Sequence, residues 1–230
     1  VSFYVRSGEI LGIFGLVGSG RTTMAQMIVG ARPKKSGEVY VDGKKVIIKK
    51  PSDAIKAGIA YLPEDRRYQG LVLRMNVRDN ITLPILKRIR SLSMGLLSPI
   101  NRVKEEGIVS DHIGKLRIVP PDPNRKTMYL SGGNQQKVVL AKWLASRARV
   151  LILDEPTRGI DVGAKVEIRK LMVELAREGK AVILISSELM EVLGMSDRIL
   201  VMADGKIVAE FERAEATPQK VMECAVKSYR

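Results

Sequence analysis

A glycine-rich segment near the start of the chain has the residue types of a phosphate-binding loop. Between an apolar run and the start of a helical pattern, it reads Gly15-Leu16-Val17-Gly18-Ser19-Gly20-Arg21-Thr22-Thr23. Glycines let successive backbone N–H groups converge on phosphate oxygens, and the start of a helix adds the positive end of its dipole. The Thr22 hydroxyl would bind a Mg²⁺ ion that accompanies the phosphates. Taken alone, the segment is equally compatible with a glycine turn that only joins a strand to a helix.

Two adjacent acids follow another apolar run, at residues 150–153. In open α/β sheets, ligands bind beyond the carboxyl ends of the strands, which is where Asp154 and Glu155 would lie. Asp154 is suited to the Mg²⁺ shell, and Glu155 to polarising an attacking water. Two acids can also begin an ordinary loop, but that alternative is weaker when a phosphate-binding loop belongs to the same sheet.

A second glycine-bearing helix start lies between these two motifs. It reads Leu130-Ser131-Gly132-Gly133-Asn134-Gln135-Gln136 and precedes a helix predicted over residues 134–145. The Ser131 hydroxyl and the two glycine amides would form a further anion site at a helix N-terminus. One nucleotide needs only one such site, so a second site suggests a second nucleotide. The alternative is a capped helix start with a flexible glycine pair.

The elements that must position these motifs alternate between strands and helices. Apolar runs predict strands at residues 10–14, 59–62, 150–153, 181–185 and 198–203, and we also expect a strand at the N-terminus that includes Phe3 and Tyr4. Asp42-Gly43 and Asp204-Gly205 are hairpin signals. Strands that are apolar throughout and alternate with helices predict an α/β fold with a mainly parallel sheet. Residues 76–125 differ in having helical periodicity and many charges, and we predict an inserted helical lobe there, with the core at 1–75 and 126–230.

The composition narrows the class of protein without choosing one. The net charge of +14 suits nucleotide phosphates, nucleic acid or anionic lipid surfaces alike, and an aromatic content of 4% argues against a stacking platform for single strands. One cysteine, Cys224, excludes an internal disulfide, and neither it nor the only histidine, His112, has the neighbours of a reactive or metal-binding group. No apolar run is long enough to cross a bilayer.

The order of the motifs resembles that of ABC ATPases, and the similarity runs along essentially all 230 residues. It is most specific to the second nucleotide-binding domain of the fused ATPase subunits of ribose-, galactoside- and xylose-type importers. The residues that carry it are Gly20-Arg21-Thr22, Pro63-Glu64-Asp65-Arg66, Leu130 to Lys137, and Asp154 to Lys165. In that family two such domains share one polypeptide, which fits a chain that begins at Val1 rather than Met.

The resemblance implies an ABC-type core with an antiparallel β subdomain and a helical lobe, working as a transport-coupled ATPase with ATP and Mg²⁺. The signature at Ser131, Gly132, Gly133 and Gln135 would reach the ATP of a partner domain, expected in the N-terminal half of the same polypeptide. The partners would be transmembrane permease subunits and, indirectly, a periplasmic sugar-binding protein, with no nucleic acid. The domain would lie in the cytoplasm, peripherally on the inner face of the membrane.

Three positions depart from a fully active ABC domain. The lysine of the phosphate loop is replaced by Arg21, the glutamine that links Mg²⁺ to the lobe by Glu64, and the switch histidine by Ser187. A guanidinium is larger and forked, and a serine cannot carry positive charge to a phosphate. We therefore expect weak turnover in this chain's own site and an intact signature for its partner. The aromatic residue that stacks on adenine would lie before Val1.

Two other functions are also compatible with the sequence. The chain could be an ABC ATPase without a membrane partner, acting on nucleic acid or ribosomes, in which case the positive charge would contact nucleic acid. It could also be a binding module in which ATP serves only as a ligand for dimerisation. Adding the partner domain and looking for hydrolysis separates that second function from an ATPase.

Overall fold

The computed structural model describes residues 1–90 and 99–227, and these form two compact units. The first, here called the sheet unit, comprises Val1–Glu64, Arg149–Arg158 and the chain from Val166 onward. The second, here called the helical unit, comprises Asp65–Ala148 and Gly159–Lys165, so the predicted boundaries of the lobe at 76 and 125 lie inside it. Within the described residues, no helix is both long and apolar enough to cross a bilayer.

The strands belong to the sheet unit. They are β1 (Ile10–Phe14), β2 (Val39–Val41), β3 (Lys44–Val46), β4 (Ile59–Leu62), β5 (Val150–Asp154), β6 (Ala181–Ile185), β7 (Arg198–Ala203) and β8 (Lys206–Glu212). Six of them form one sheet in the order β4-β5-β6-β1-β7-β8, parallel except for the antiparallel pair β7–β8. The α/β class with a mainly parallel sheet is thus confirmed.

The helices are α1 (Arg21–Ile28), α2 (Pro51–Lys56), α3 (Val77–Thr82), α4 (Leu86–Ile89), α5 (Arg102–Lys115), α6 (Gly132–Ala145), α7 (Val162–Arg177), α8 (Leu189–Met195) and α9 (Pro218–Lys227). A π-helical turn occupies Arg66–Gly70, and short 3₁₀ turns occupy Leu83–Ile85 and Thr127–Tyr129. Helix α9 begins with a capping residue and a proline, because Thr217 accepts a hydrogen bond from the N–H of Lys220 and Pro218 takes the first helical position.

Burial explains why the central strands are apolar throughout. Every residue of β1, β6 and β7 is buried, and one face of the sheet packs Leu11 and Ile13 against Met24 and Ala25 of α1. The other face packs Phe14 against Val192 and Val221, from α8 and α9. A parallel strand covered on both faces has no polar side to present, which is the pattern that the sequence shows.

Both predicted hairpins are present, and their turns have the backbone that the sequence requires. Asp42 and Gly43 have φ of 50° and 72°, and Asp204 and Gly205 have φ of 48° and 71°. Positive φ at both central residues is the mark of a type I′ turn, whose twist matches that of the flanking strands. The antiparallel β subdomain consists of β2 and β3 alone among the described strands.

The helical unit is built around α6, which packs against α3 and α5. Its residues Val138 to Ala141 are all buried. Asn80 of α3 is fully buried, and its amide contacts the Val72 carbonyl at 3.1 Å and the Thr127 hydroxyl at 3.4 Å. These bonds fix the segments on either side of the predicted insertion, because a buried amide must find partners.

The expectation of a strand at the N-terminus was wrong. Residues 1–6 have no regular secondary structure. Tyr4 instead lies beside the guanidinium of Arg198, 4.3 Å from the ring centre, and its carbonyl accepts a hydrogen bond from Arg198 at 2.7 Å. A β-prone composition predicts a strand only where a neighbouring strand is available to pair with it.

Candidate functional site

The glycine-rich segment forms a loop between β1 and α1, as predicted. Gly18 and Gly20 have φ of 87° and 94°, and the N–H of Ser19 donates to the Leu16 carbonyl at 3.0 Å. Gly20 caps α1, and no side chain of the cap residue bonds to the first N–H groups of the helix. Those N–H groups have no partner within the helix, so an oxyanion is a fitting acceptor for them.

The loop packs so closely against the β7–β8 hairpin that Gly15 and Gly20 have little room for side chains. A Cβ on Gly15 would lie 2.3 Å from the carbonyl oxygen of Met202, and one on Gly20 would lie 3.2 Å from the Cα of Gly205. The N–H of Gly205 donates to the Ser19 carbonyl at 3.0 Å. Val17 is 90% exposed at the tip, whereas Leu16 packs against the apolar cluster around Phe14.

Arg21, in place of the usual lysine, points toward the ends of β5 and β6. Its guanidinium Nη1 donates to the Ser186 carbonyl at 2.6 Å and lies 3.8 Å from Glu155 Oε1. The residue is only 8% exposed. Part of the fork that would bind phosphate oxygens is therefore already engaged with the segment that follows β6. Thr22 and Thr23 follow in the first turn of α1, each half-buried.

Asp154, the last residue of β5, is fully buried. Its Oδ2 accepts a hydrogen bond from the Tyr61 hydroxyl at 2.9 Å, while Oδ1 is buried and has no hydrogen-bond partner among the residues that the structure describes. Burial raises the pKa of this carboxyl to about 6, although the hydrogen bond from Tyr61 and the nearby Thr22 hydroxyl oppose the shift. The same burial, together with the charge of Asp154, raises the pKa of Tyr61, which keeps the phenol in its donor form.

These residues fit a Mg²⁺ ion that is shared with a nucleotide. Mg²⁺ is usually held by one or two protein oxygens, with phosphates and waters completing six positions. Asp154 Oδ1 lacks a partner among the described residues, and the Thr22 hydroxyl is within hydrogen-bonding reach of the same carboxylate. In the described part of the chain, no cluster of three or more acidic, histidine or cysteine side chains could hold a metal alone. Phosphate oxygens and waters would have to supply the remaining ligands.

Glu155 has a backbone conformation that non-glycine residues seldom adopt. Its φ is 50°, and its N–H donates to the Ile185 carbonyl at 2.8 Å. Its side-chain Oε1 accepts a hydrogen bond from the N–H of Ser187 at 2.8 Å. Burial raises the pKa of this carboxyl, and the bonds from Ser187 and the charge of Arg21 partly offset the rise. The acid predicted to polarise water is thus held at the ends of two neighbouring strands.

Glu64 and Ser187, the two other positions that depart from a fully active ABC domain, also lie in the sheet unit. Glu64 forms an ion pair with Arg158, and its negative charge contributes to the raised pKa of both Asp154 and Glu155. Ser187 is exposed and bonds to Glu155 through its backbone. The structure therefore brings together the phosphate loop, both acids, Glu64 and Ser187 in one unit.

The signature segment begins α6 in the helical unit. The exposed Ser131 caps the helix, accepting a hydrogen bond from the N–H of Asn134 at 3.4 Å. A Cβ on Gly132 would lie 2.7 Å from a guanidinium nitrogen of Arg66, and one on Gly133 would lie 2.7 Å from the Cβ of Ala164. Both glycines are needed for these close approaches, and the helix start presents backbone amides and the Ser131 hydroxyl beside the Arg66 guanidinium.

Gln135, which the sequence predicts as a nucleotide contact, is largely buried near the start of α6. The side chain belongs to a residue that is only 5% exposed, and its amide donates to the Thr127 carbonyl at 3.1 Å. Through this bond it holds the segment that precedes the signature. Its position next to the motif gave no indication of which way the side chain would turn.

Sequence reasoning missed Tyr61 and a buried cluster around Glu191. Tyr61 lies on β4, where its neighbour across the strands is Ile152 of β5. Glu191 lies on α8 and accepts hydrogen bonds from Thr157 and Ser186. These contacts join residues 93, 34 and 5 positions apart. No local pattern marks the two longer contacts, because they depend on which elements become neighbours in the fold.

A match to a protein-family model identifies the family of this chain. A protein-family model described as "ABC transporter" matches residues 1–158. The chain belongs to the ABC transporter family. It contains the ATPase domain of that family, with the loop, the signature and the acids in the family's order. The match covers more than half of the chain and includes all three motifs.

Curated relatives extend the similarity beyond residue 158. The "Xylose import ATP-binding protein" of Moorella thermoacetica is 53% identical over 226 residues, which is 98% of this chain and 44% of that protein. The "Ribose import ATP-binding protein" of Clostridium tetani is 50% identical over 226 residues, again 98% of this chain and 44% of that protein. The ABC domain described here therefore spans less than half the length of these relatives.

Solved structures confirm the fold. A nucleotide-free ATP-binding cassette from an ABC transporter matches with a TM-score of 0.81 at 25% identity, covering 100% of this chain and 91% of that one. The ADP conformation of another ATP-binding cassette matches with a TM-score of 0.79 at 26% identity, covering 98% of this chain and 91% of that one. The ABC-type core with its mainly parallel sheet is the architecture of these cassettes.

Proposed function

We propose that this chain binds and hydrolyses ATP as one half of a nucleotide sandwich that powers the import of a monosaccharide. The proposal is carried by one observation: the sheet unit brings together the phosphate loop, Asp154 and Glu155. One oxygen of Asp154 has no hydrogen-bond partner among the described residues. The sugar-import names of relatives at 50% identity and above support the choice of cargo class.

In this mechanism, the N–H groups from Gly18 to Thr22 bind the phosphates of ATP, and the guanidinium of Arg21 adds positive charge. Thr22 and Asp154 would hold Mg²⁺, which neutralises charge on the phosphate oxygens when it is bound. Glu155 would polarise the attacking water from the end of β5. Phosphoryl transfer needs mainly positioning and charge stabilisation, so the rigid placement of Glu155 is the main requirement.

The signature of this chain would serve a different nucleotide. Ser131, Gly132 and Gly133 offer a hydroxyl and backbone amides at the start of α6, a site suited to the γ-phosphate of an ATP bound by a partner domain. We propose that the partner domain is the N-terminal half of the same polypeptide. The coverage of 44% of the length of related proteins leaves room for a second domain of this size.

We further propose that the two sites of the pair are unequal. In this chain's own site, Arg21 is engaged with the Ser186 carbonyl and with Glu155, Glu64 is paired with Arg158, and Ser187 has no charge to offer. Such a site would bind ATP and hydrolyse it slowly or serve in regulation. The site completed by this chain's signature would carry most of the turnover.

The proposed surroundings follow from the transport function. ATP-driven closure would be passed to transmembrane permease subunits on the cytoplasmic face of the membrane, through the Glu64 segment and the helical unit. A periplasmic sugar-binding protein would deliver the sugar and would determine which one is carried. The alternative of an ABC ATPase acting on nucleic acid or ribosomes is not supported, because the similar curated proteins are import proteins.

The test uses two single substitutions in the full-length protein, measured as ATP turnover with the permease present. We expect Ser131→Arg to lower kcat about 100-fold, because a bulky cation replaces the hydroxyl in the site that carries most of the turnover. Glu155→Gln, in the slow site, should lower kcat less than about tenfold. Ser110→Arg and Glu106→Gln, at exposed positions of α5, are the matched controls. If Glu155→Gln abolishes turnover while Ser131→Arg is harmless, the assignment of the two sites is reversed.

A further inference from the structure

A buried polar cluster ties together the ends of β5 and β6, and the proposed mechanism makes no use of it. At its centre is the carboxylate of Glu191 on α8, whose side chain is 0% exposed. The Thr157 hydroxyl lies 2.8 Å and 3.0 Å from its two oxygens, and the Ser186 hydroxyl donates to Oε2 at 2.8 Å. Arg169 of α7 donates through Nε to Oε1 at 3.0 Å. These four residues are here called the Glu191 cluster.

Burying the Glu191 carboxylate costs more free energy than packing an apolar side chain in its place. A buried carboxylate is strongly unfavourable unless charge and hydrogen bonds compensate it. Here a guanidinium and two hydroxyls supply that compensation, and all three partners come from different segments. Such a satisfied network fixes the segments that it joins, because any displacement leaves a buried charge without a partner.

The segment after β5 contains the strained residue. Glu155 has its φ of 50° in a turn that is closed by a hydrogen bond from the N–H of Arg158 to the Glu155 carbonyl, at 3.1 Å. Thr157 lies inside this turn, and its bonds to Glu191 anchor it. A left-handed residue persists only where the surrounding contacts hold it. The Glu191 cluster supplies such contacts.

The segment after β6 contacts both Glu155 and Arg21. The N–H of Ser187 donates to Glu155 Oε1, and the Ser186 carbonyl accepts from Arg21. The Ser186 hydroxyl, between these two contacts, donates to Glu191 and accepts from the N–H of Glu188 at 3.1 Å. Fixing this one hydroxyl therefore fixes both neighbours of the Glu155 carboxylate.

We propose that Glu191 is a positioning residue for Glu155. Through Thr157 it holds the turn that carries Glu155, and through Ser186 it holds the segment that orients the Glu155 carboxylate. This inference rests on the proposed role of Glu155 in polarising water. It predicts that loosening the cluster slows the chemical step and changes nucleotide binding little, because the cluster meets Arg21 of the phosphate loop through the backbone carbonyl of Ser186 and not through the side chains that are changed.

The experiment measures the slow site alone. In the full-length protein, Ser131→Arg suppresses the partner site, and single-turnover hydrolysis of ATP then reports on this chain's own site. On that background we expect Thr157→Val to lower the rate about tenfold, with ATP affinity within about twofold, because small displacements of a catalytic group cost large factors in rate. Thr157→Ser, which keeps the hydroxyl, should restore the rate, and Glu191→Gln should lower it.

The matched control cuts a similar bond elsewhere. Thr82→Val removes the bond from a buried threonine hydroxyl to Glu105 at 3.2 Å in the helical unit. If Thr157→Val lowers the melting temperature as Thr82→Val does but leaves the rate unchanged, the cluster is merely structural and the inference fails. Glu155→Gln is measured in parallel: if it too leaves the rate unchanged, the proposed role of Glu155 is what fails.

Amide hydrogen exchange gives a readout that needs no turnover. In Glu191→Gln we expect faster exchange at Ser187 and Glu188, whose N–H groups bond to Glu155 and Ser186, and unchanged exchange in the helical unit. Thr82→Val should leave both amides protected. Unchanged protection of Ser187 in Glu191→Gln would overturn the positioning role.

Discussion

At the scale of single residues, the proposed chemistry depends on how charge is arranged around two carboxylates. Arg21 replaces a compact ammonium with a planar fork, one of whose nitrogens lies 2.6 Å from a carbonyl and 3.8 Å from Glu155. Tyr61 occupies one oxygen of Asp154 and leaves the other without a partner among the described residues. Each arrangement leads to a prediction.

Removing the charge of Arg21 should weaken nucleotide binding at this chain's own site. Hydrogen bonds to charged groups contribute about 1.5–3 kcal/mol, so we expect Arg21→Ala to lower ATP affinity about 10- to 100-fold. Arg21→Lys keeps the charge and should stay within about threefold of the parent, since phosphate can accept from either cation. Calorimetric titration with ATP in the Ser131→Arg protein checks both. Equal affinity in the alanine and lysine variants would show that the side chain does not contact phosphate.

Tyr61→Phe should affect only the Mg²⁺-dependent part of ATP affinity. The variant deletes the hydroxyl that orients Asp154, and leaving a buried acceptor unpaired costs about 1–3 kcal/mol. We expect ATP affinity measured with Mg²⁺ to fall several-fold while affinity in excess chelator is unchanged. Tyr40→Phe is the control, since Tyr40 is exposed on β2 and its hydroxyl donates to Glu38, away from the site. An equal loss with and without Mg²⁺ would contradict the orienting role.

At the scale of elements, turns and helix starts set the geometry of the phosphate loop. The β7–β8 turn holds the loop through the bond from Gly205 to Ser19, and β1 and α1 hold its two ends. In the helical unit, α6 carries the signature at its start and a buried lysine, Lys142, near its end. The contributions of the Gly205 turn to ATP affinity and of the buried Lys142 to stability can each be measured with single substitutions.

Gly205→Ala and Gly43→Ala form a matched pair. Both glycines have φ near +70° in two-residue turns, and a methyl group added at either would have no atom within 4 Å. Each alanine should therefore cost about 1–2 kcal/mol of unfolding free energy from the left-handed backbone alone. Only Gly205→Ala should also lower ATP affinity, because only that turn bonds the phosphate loop. Denaturation and nucleotide titration together test this, and equal affinities in the two variants would refute it.

Lys142 should give the protein a pH-dependent stability. Burial lowers the pKa of its ammonium to about 8, and the Nζ donates to the Gly70 carbonyl. Between about pH 8 and the unfolded pKa near 10.5, the unfolded chain binds more protons than the folded one, so this group makes stability rise with pH. We expect Lys142→Met to remove that rise in denaturation curves at about pH 7.5 and 10, while Lys170→Met, at an exposed lysine, keeps it. A rise retained in Lys142→Met would contradict the burial effect.

The sequence was most informative where the signal is local. The apolar run of β1 and the Asp204-Gly205 turn were predicted at their observed positions, because burial on both faces and a left-handed turn each restrict residue type directly. The strand expected at Phe3 and Tyr4 was wrong, since strand formation depends on an available neighbour. The bond from Gln135 to the Thr127 carbonyl could not be predicted, because a helix start leaves the rotation of individual side chains undecided.

At the scale of the whole molecule, the order of the three motifs along the chain was enough to predict the family. What the motifs could not predict is how the acids are supported, because Tyr61 and Glu191 reach the site from β4 and α8. Contacts across neighbouring strands become visible only when the strand order is known. The sheet order β4-β5-β6 brings Tyr61, Asp154 and Ser186 to the same edge of the sheet.

The central claim is that the phosphate loop and the signature of this chain serve different nucleotides. The direct measurement is a structure of the full-length protein with Mg²⁺ and a non-hydrolysable ATP analogue, which keeps the γ-phosphate in both sites. We expect the phosphates of one ATP against the N–H groups of Gly18 to Thr22, and the γ-phosphate of a second ATP against Ser131 and Gly132. A single ATP that contacts both motifs of this chain, or phosphates that contact neither, would contradict the claim.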